Sequence, residues 1–373
     1  MTLLLPESFP EQNRGPAAEN LQAERVLRSH FPTLAVETLT AIPGEGSYSG
    51  AKIWRLRANG QDWAWRRWPQ PGPPLPRLMG LHRLLRHVER EGLRVVAVPI
   101  ADQEGQSVIV QEDHAWQLEP WKPGTADLTR DMTAVRLSAA LQVLARWHLL
   151  AARYVPTTSD SSWFSSSRTG VCPAIPERAT RLASLTERWW TDQEHRIPLQ
   201  WPSARRELLK RVVRLSGKNS DLCLRRLRAS EERQVPVFPA LRDVWHAHVL
   251  LTGDQVTGLI DPSSCRTDSA AVDLARLLSS LGAVSPLLRG EALEAYQQIR
   301  PLSTEEWQLI PVLEQSGAIL SLATWMTWLF EERRPVSDWT AIEQRWARIG
   351  EVLDGVRPGS PDSPHRQDGR DQF

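Results

Sequence analysis

Apolar positions along the chain switch between strand and helix periods up to about residue 121 and keep mostly the helix period beyond it, which divides the chain into two regions. Between Leu21 and Phe31 they recur every three to four residues, which predicts a short amphipathic helix. From about Leu34 to Trp68 the period shortens, giving three predicted strands that end near Ile42, Arg57 and Trp68. Asn59-Gly60 separates the second strand from the third, and that dipeptide suits the left-handed backbone of a tight hairpin turn. A Pro-rich break, Pro69 to Pro76, leads into a predicted helix from Arg77 to Glu91 with Leu78, Leu81, Leu84, Leu85 and Val88 on one face. Strand-like runs follow at Arg94–Ile100 and Ser107–Leu118.

Beyond Trp121-Lys122-Pro123-Gly124 the helical period takes over. It covers Thr133–Ala152, then Arg-rich segments from Glu177 to about Ser230, and further segments to Val352. A Ser/Thr/Pro-rich loop, Thr157–Ile175, joins the first two, and a short β island, Val249–Ile260, interrupts the rest. The order predicts an α+β fold in two lobes, a small β-rich N-terminal lobe (18–121) and a larger helical C-terminal lobe (122–356). Residues 1–17 and 357–373 are polar and Pro-containing, with little to bury, and are expected to be disordered.

Composition removes several classes. The 373 residues carry 45 Lys+Arg against 44 Asp+Glu, a net charge of +1, which argues against a chain selected to coat nucleic acid or an anionic membrane. The basic residues are nearly all Arg; the lysines are Lys52, Lys122, Lys210 and Lys218. The Arg run from Arg205 to Arg233 and the abundant Trp read as a solvated helix face and as core, in preference to an RNA surface. Cys172, Cys223 and Cys265 are scattered and without C-x-x-C spacing, so neither a disulfide framework nor a zinc knuckle is expected. No stretch approaches the ~18 apolar residues of a membrane span, and the N-terminus lacks a signal pattern, so the expected location is cytoplasmic.

The chemistry concentrates in Leu241-Arg242-Asp243-Val244-Trp245-His246-Ala247-His248-Val249-Leu250-Leu251, a Gly253-Asp254 turn, and a second strand ending in Ile260-Asp261-Pro262. A polar loop thus enters one strand and an acid ends the next. Phosphoryl transfer needs such a set: one carboxylate to orient the acceptor hydroxyl and others to hold Mg²⁺ against the phosphates. In kinases the loop reads H-R-D-x-x-x-x-N and is followed by the Asp of D-F-G. Asp243 takes the first Asp position, His248 the Asn position, and Asp261 the metal-binding position.

On these residues the chain resembles the aminoglycoside phosphotransferase and choline-kinase-like family, the small-molecule branch of the protein-kinase-like fold. That family reads H-G-D-x-H-x-x-N-[VI]-L, a hairpin, I-D-[FW] and then D-x-A; here Asp273-Leu274-Ala275 supplies the last element. Gln117-Leu118-Glu119-Pro120-Trp121-Lys122-Pro123-Gly124 looks like its interlobe hinge, and Leu144-Ala145-Arg146-Trp147-His148 like its L-A-x-L-H. The resemblance covers about residues 35 to 350. It implies an ATP-dependent, Mg²⁺-requiring transfer to a small-molecule hydroxyl. Asp243 would be catalytic, with Asp261 and His248 on the metal. Gly44, Gly46 and Ser47 of a Gly-rich loop would cover the phosphates, and Glu119 and Trp121 would lie against the adenine.

The pattern is also broken. No Lys lies in Asp62–Trp68; strand alternation puts Ala64 and Arg66 where V-A-I-K has its Ala and Lys, making Arg66 the phosphate ligand. Arg is bidentate and always charged, so it is not a simple Lys replacement. His82 stands near the position of the helix acid that pairs that Lys, Leu241 replaces the leading His, and Mg²⁺ prefers oxygen donors to the imidazole of His248. These losses keep a second reading open, a pseudokinase that binds a nucleotide or metabolite without transfer. His148 reads as a packed core histidine and Asp273 as an acid that braces a loop.

Overall fold

The computed structural model describes residues 15–42, 50–336 and 338–355. The N-terminal region contains α1 (Pro16–His30), β1 (Val36–Ala41), β2 (Lys52–Ala58), β3 (Gln61–Arg67), α2 (Leu75–Arg90), β4 (Ile109–Gln111) and β5 (His114–Pro120). Its strands form one antiparallel sheet in the order β1-β2-β3-β5-β4. The helical region contains α3 (Ala134–Ala151), β6 (Arg168–Val171), α4 (Ala174–Ala183), α5 (Glu187–His195), α6 (Ser203–Arg228) and β7 (Gln234–Ala240). It continues with β8 (Val249–Thr252), β9 (Gln255–Leu259), β10 (Arg266–Asp268), α7 (Ala270–Ser280), α8 (Pro286–Gln297), α9 (Thr304–Met326) and α10 (Trp339–Asp354). The α+β, two-lobed arrangement expected from the sequence is the one observed.

Strand alternation sorts β3 into two faces. Trp65 turns toward α1, where it stacks on Trp116 (ring centroids 5.1 Å apart), which in turn stacks on Trp54 at 5.8 Å. All three are fully buried, each removing on the order of 200 Å² from water, about 5 kcal/mol by area before entropy is counted. Arg67 lies over this stack and is held by the Gln22 amide oxygen at 2.6 Å. The opposite face carries Ala64, Arg66 and Trp68, all buried, with Trp68 packed against Leu78 and Ala115.

Four local expectations need correction. Helix α1 starts at Pro16, not Leu21, because Pro fits the first turn where no N–H is required. Residues 94–100 are not a strand: they run between the regions, with Val96 bridging Leu259 and the Leu259 N–H donating to the Val95 carbonyl at 2.9 Å. The run Ser107–Leu118 is not one strand but a hairpin, turning at Glu112 and Asp113, both with positive φ. The 157–175 segment, expected as loop, contains β6, which pairs with β7 in a sheet of order β10-β7-β6.

Among the described residues one helical stretch, Thr304–Glu331, is long and apolar enough to cross a membrane by length and composition. It is mostly buried, packed within the helical region.

Candidate active site

The loop before β8 is fixed from below by a buried acid. Asp273, in the first turn of α7, accepts the N–H groups of Leu241 (2.8 Å) and Arg242 (2.5 Å). His148 donates to the same carboxylate through Nε2 at 3.0 Å, and its Nδ1 meets the Tyr296 hydroxyl at 2.8 Å. Burial lowers the His148 pKa despite Asp273, so the ring is neutral. These contacts hold Arg242 in the left-handed region (φ 65°) and turn the chain so that Asp243 faces outward, its side chain 46% exposed. Arg276 Nε donates to Asp243 Oδ1 at 2.8 Å, which orients the carboxylate.

The β8–β9 hairpin then places Asp261 beside β3. Arg66 reaches across to Asp261 Oδ1 at 3.4 Å and to Glu119 Oε1 at 3.5 Å. Arg66 is buried, and its Nε has no hydrogen-bond partner among the described residues. Burial alone would lower the guanidinium pKa; the two carboxylates outweigh it and raise it. Burial raises the pKa of Glu119, since its guanidinium partner is 3.5 Å away and shared. Burial acts the same way on Asp261, but Arg66 and His248 prevail and lower its pKa. Asp261 also has positive φ (53°), the strained backbone of a residue aimed at a site.

The helix acid absent from α2 is thus replaced from within the sheet. His82 is fully buried, and burial takes its pKa down to about 4. Its Nε2 donates to Gln117 Oε1 at 3.2 Å, and the Gln117 amide donates to Glu119 at 2.8 Å. A continuous chain therefore runs from α2 through Gln117 and Glu119 to Arg66 and Asp261.

His248 sits between the two acids. Nδ1 donates to the Asp243 carbonyl at 2.9 Å, while Nε2 accepts from the Trp245 indole at 2.7 Å and lies 3.8 Å from Asp261 Oδ2. Burial lowers its pKa against the pull of Asp261 and Asp243, so the ring is neutral. Its one lone pair faces an indole N–H, not a cation. Among the described residues no three His, Cys, Asp or Glu side chains assemble as a metal cage. Asp261 alone of the two candidate ligands offers a carboxylate to a hard divalent ion.

The remaining candidates separate. The Trp121 ring is covered by Arg55 at 4.9 Å, and the backbone N–H of Trp121 donates to the Asp62 carbonyl at 3.1 Å. Glu119 faces Arg66. Gly44, Gly46 and Ser47 lie outside the described residues. Sequence reading missed a cavity of about 430 Å³ beside Asp243, lined by Arg77, Arg178, Arg242, Arg266 and Trp163. Its arginines come from four separate segments, and no spacing rule connects them.

A two-lobed fold with an acid-bearing loop and hairpin defines the kinase-like class, and comparison with known proteins agrees. The model of the phosphotransferase enzyme family matches residues 40–308, and the chain belongs to that family. Its fold is similar to that of a spectinomycin phosphotransferase solved with ADP and spectinomycin (12% identity, TM-score 0.63, covering 90% of this chain and 97% of that one). It is similar to an aminoglycoside phosphotransferase from Alicyclobacillus acidocaldarius (15%, 0.60, 88% and 92%) and to an amicoumacin kinase solved with AMP-PNP and Ca²⁺ (14%, 0.58, 91% and 95%). At such identities the likeness is one of fold. A homoserine kinase of Rhizobium etli is 33% identical over 111 residues, 27% of this chain; the chain spans about a third, 34%, of that relative.

Proposed function

We propose that the chain is an ATP-dependent phosphotransferase acting on a hydroxyl of a small molecule, with lobes meeting near 121/122. The observation that carries this is the placement of Arg66 and Asp261 on one side of His248 and of the outward-facing Asp243 on the other. The unpartnered, buried Arg66 Nε fits a phosphate oxygen, and the carboxylate of Asp261 fits a divalent cation. Bound nucleotide would supply the phosphoryl group, and Mg²⁺ would neutralise its charge. Asp243 takes the acceptor's hydroxyl proton at Oδ2, while Arg276 keeps the carboxylate aimed and Asp273 keeps the loop in register. Nucleotides in the related structures support the cofactor assignment. The buried thiols of Cys172, Cys223 and Cys265 support a reducing, cytoplasmic setting.

The test is a thermal shift with ATP, with and without Mg²⁺, where saturation at about 100 times the dissociation constant adds about 2.7 kcal/mol of stability. The absence of a shift with any nucleotide sinks the reading. The pseudokinase reading draws on the His248 lone pair being taken by Trp245. Under it, ATP raises stability without Mg²⁺ and no acceptor is ever phosphorylated.

A further inference from the structure

The cavity beside Asp243 carries more positive charge than its own acids balance. Glu177 pairs with both Arg242 (2.6 Å) and Arg266. Asp268, fully buried, adds a second contact to Arg242 Nε at 2.9 Å. Asp243 is taken by Arg276. Arg77 and Arg178 are left without a carboxylate at ion-pair distance among the described residues. Arg77 gives one N–H to the Ser263 carbonyl at 2.9 Å. Arg178 donates through Nη1 to the Leu313 carbonyl at 2.5 Å and to Ser316 Oγ at 3.1 Å. A guanidinium has five N–H donors, so both retain donors for a ligand.

Burial, with Arg242 nearby, lowers the Arg77 pKa, and burial lowers that of Arg178 against the pull of Asp268. An amino sugar entering here would set ammonium groups against guanidinium groups. A carboxylate or a phosphate monoester would instead receive charge-assisted, bidentate hydrogen bonds. About 430 Å³ is the size of a small-molecule site.

We propose that the acceptor of this enzyme is an anion, a small hydroxylated carboxylate or phosphate monoester, whose charged group is held by Arg77 and Arg178 while its hydroxyl meets Asp243. The proposal rests on the phosphotransferase reading for the role of Asp243, but the anion site is testable without it.

The experiment is calorimetric titration of the full chain with inorganic phosphate, gluconate, 6-phosphogluconate, uncharged sorbitol and cationic kanamycin. Each is run with and without saturating AMP-PNP and Mg²⁺. The nucleotide titration alone tests the phosphotransferase reading; binding of the anions to nucleotide-free protein tests this one. The expected result is that an anion binds, sorbitol and kanamycin do not, and Arg77→Gln weakens the anion at least ~10-fold, as loss of one charge-assisted contact implies. Gluconate against 6-phosphogluconate tells carboxylate from phosphate recognition. Arg178→Gln is the second variant, read with a circular dichroism melt because Arg178 also ties α4 to α9. Arg77 is the variant that keeps the test open if Arg178→Gln does not fold. Sorbitol or kanamycin binding as tightly as the anions overturns the proposal, as does failure of every anion to bind. So does a loss of AMP-PNP affinity in Arg77→Gln equal to the loss for the anion, which would assign this arginine to the nucleotide.

Discussion

The two flanks of the His248 ring are made of the same residue types and differ in charge. Toward β3, one guanidinium, Arg66, lies between two carboxylates, Glu119 and Asp261, so acidic groups outnumber basic ones by one there. Toward the cavity beside Asp243, four guanidiniums face fewer acids. The neutral imidazole between them is joined to both, by 2.9 Å to the Asp243 carbonyl and 3.8 Å to Asp261. Opposite excesses on either side of one uncharged ring suit a reaction in which a metal-bound polyphosphate and an anionic acceptor must approach without sharing a field.

The comparison breaks most sharply at Asp243. Asp243→Asn keeps the shape of the side chain and removes the proton acceptor; transfer rates should fall about 10²–10⁴-fold, with anion binding retained, in a coupled ADP-release assay. If turnover survives, the arginine-lined flank is not the acceptor side.

The next effect is on stability in acid. His82 carries a folded-state pKa of about 4 against about 6.5 unfolded. The unfolded chain therefore takes up the proton first as pH falls. Stability from keeping this ring neutral is complete above about pH 6.5 and lost on descending to about pH 4, roughly 3 kcal/mol in all. Urea midpoints between pH 7 and 4 should fall less steeply in His82→Gln than in the parent. An unchanged slope would mean that burial does not hold the His82 ring neutral in the folded chain.

Glu119→Gln removes one of the two acids on Arg66 and should weaken Mn²⁺ held with a nucleotide by about 10-fold, read by electron paramagnetic resonance. Smallest of the set is Trp245→Phe. It deletes the indole donor and frees His248 Nε2, and should tighten the same Mn²⁺ signal by about fivefold, the worth of one hydrogen bond near 1 kcal/mol. No change there would mean that the imidazole is not a ligand even when free.

Much of this was legible in the sequence, for reasons that differ by residue. The Asn59-Gly60 turn, α3 with its Thr133 cap, and the β8–β9 hairpin follow local rules, and they were read with nearly the right ends. The role of Asp273 as a brace and of His148 as a packed ring also followed from their positions on apolar helices. Strand β7 is hidden because Pro236 and Pro239 argue against a central strand, and the turn at Glu112-Asp113 because Glu is not a usual left-handed residue. The Arg66–Glu119 pairing was not legible, since the two lie 53 residues apart and only the β3–β5 register brings them together. The arginine cavity needed the folded chain, because Arg77, Arg178, Arg242 and Arg266 share nothing but space.

The segment joining the lobes has a mechanical consequence. Thr125 and Leu251 exchange backbone hydrogen bonds at 2.9 Å each, Thr257 Oγ1 donates to the Pro123 carbonyl at 2.7 Å, and Lys122 Nζ donates to the Arg94 carbonyl at 2.8 Å. The connector is basted along its length to the ribbon that bears Asp261 and, through Lys122, to the segment ahead of β4. Asp261 therefore travels with this strap as one piece, and of these stitches it is the Lys122–Arg94 bond that reaches over to the N-terminal region.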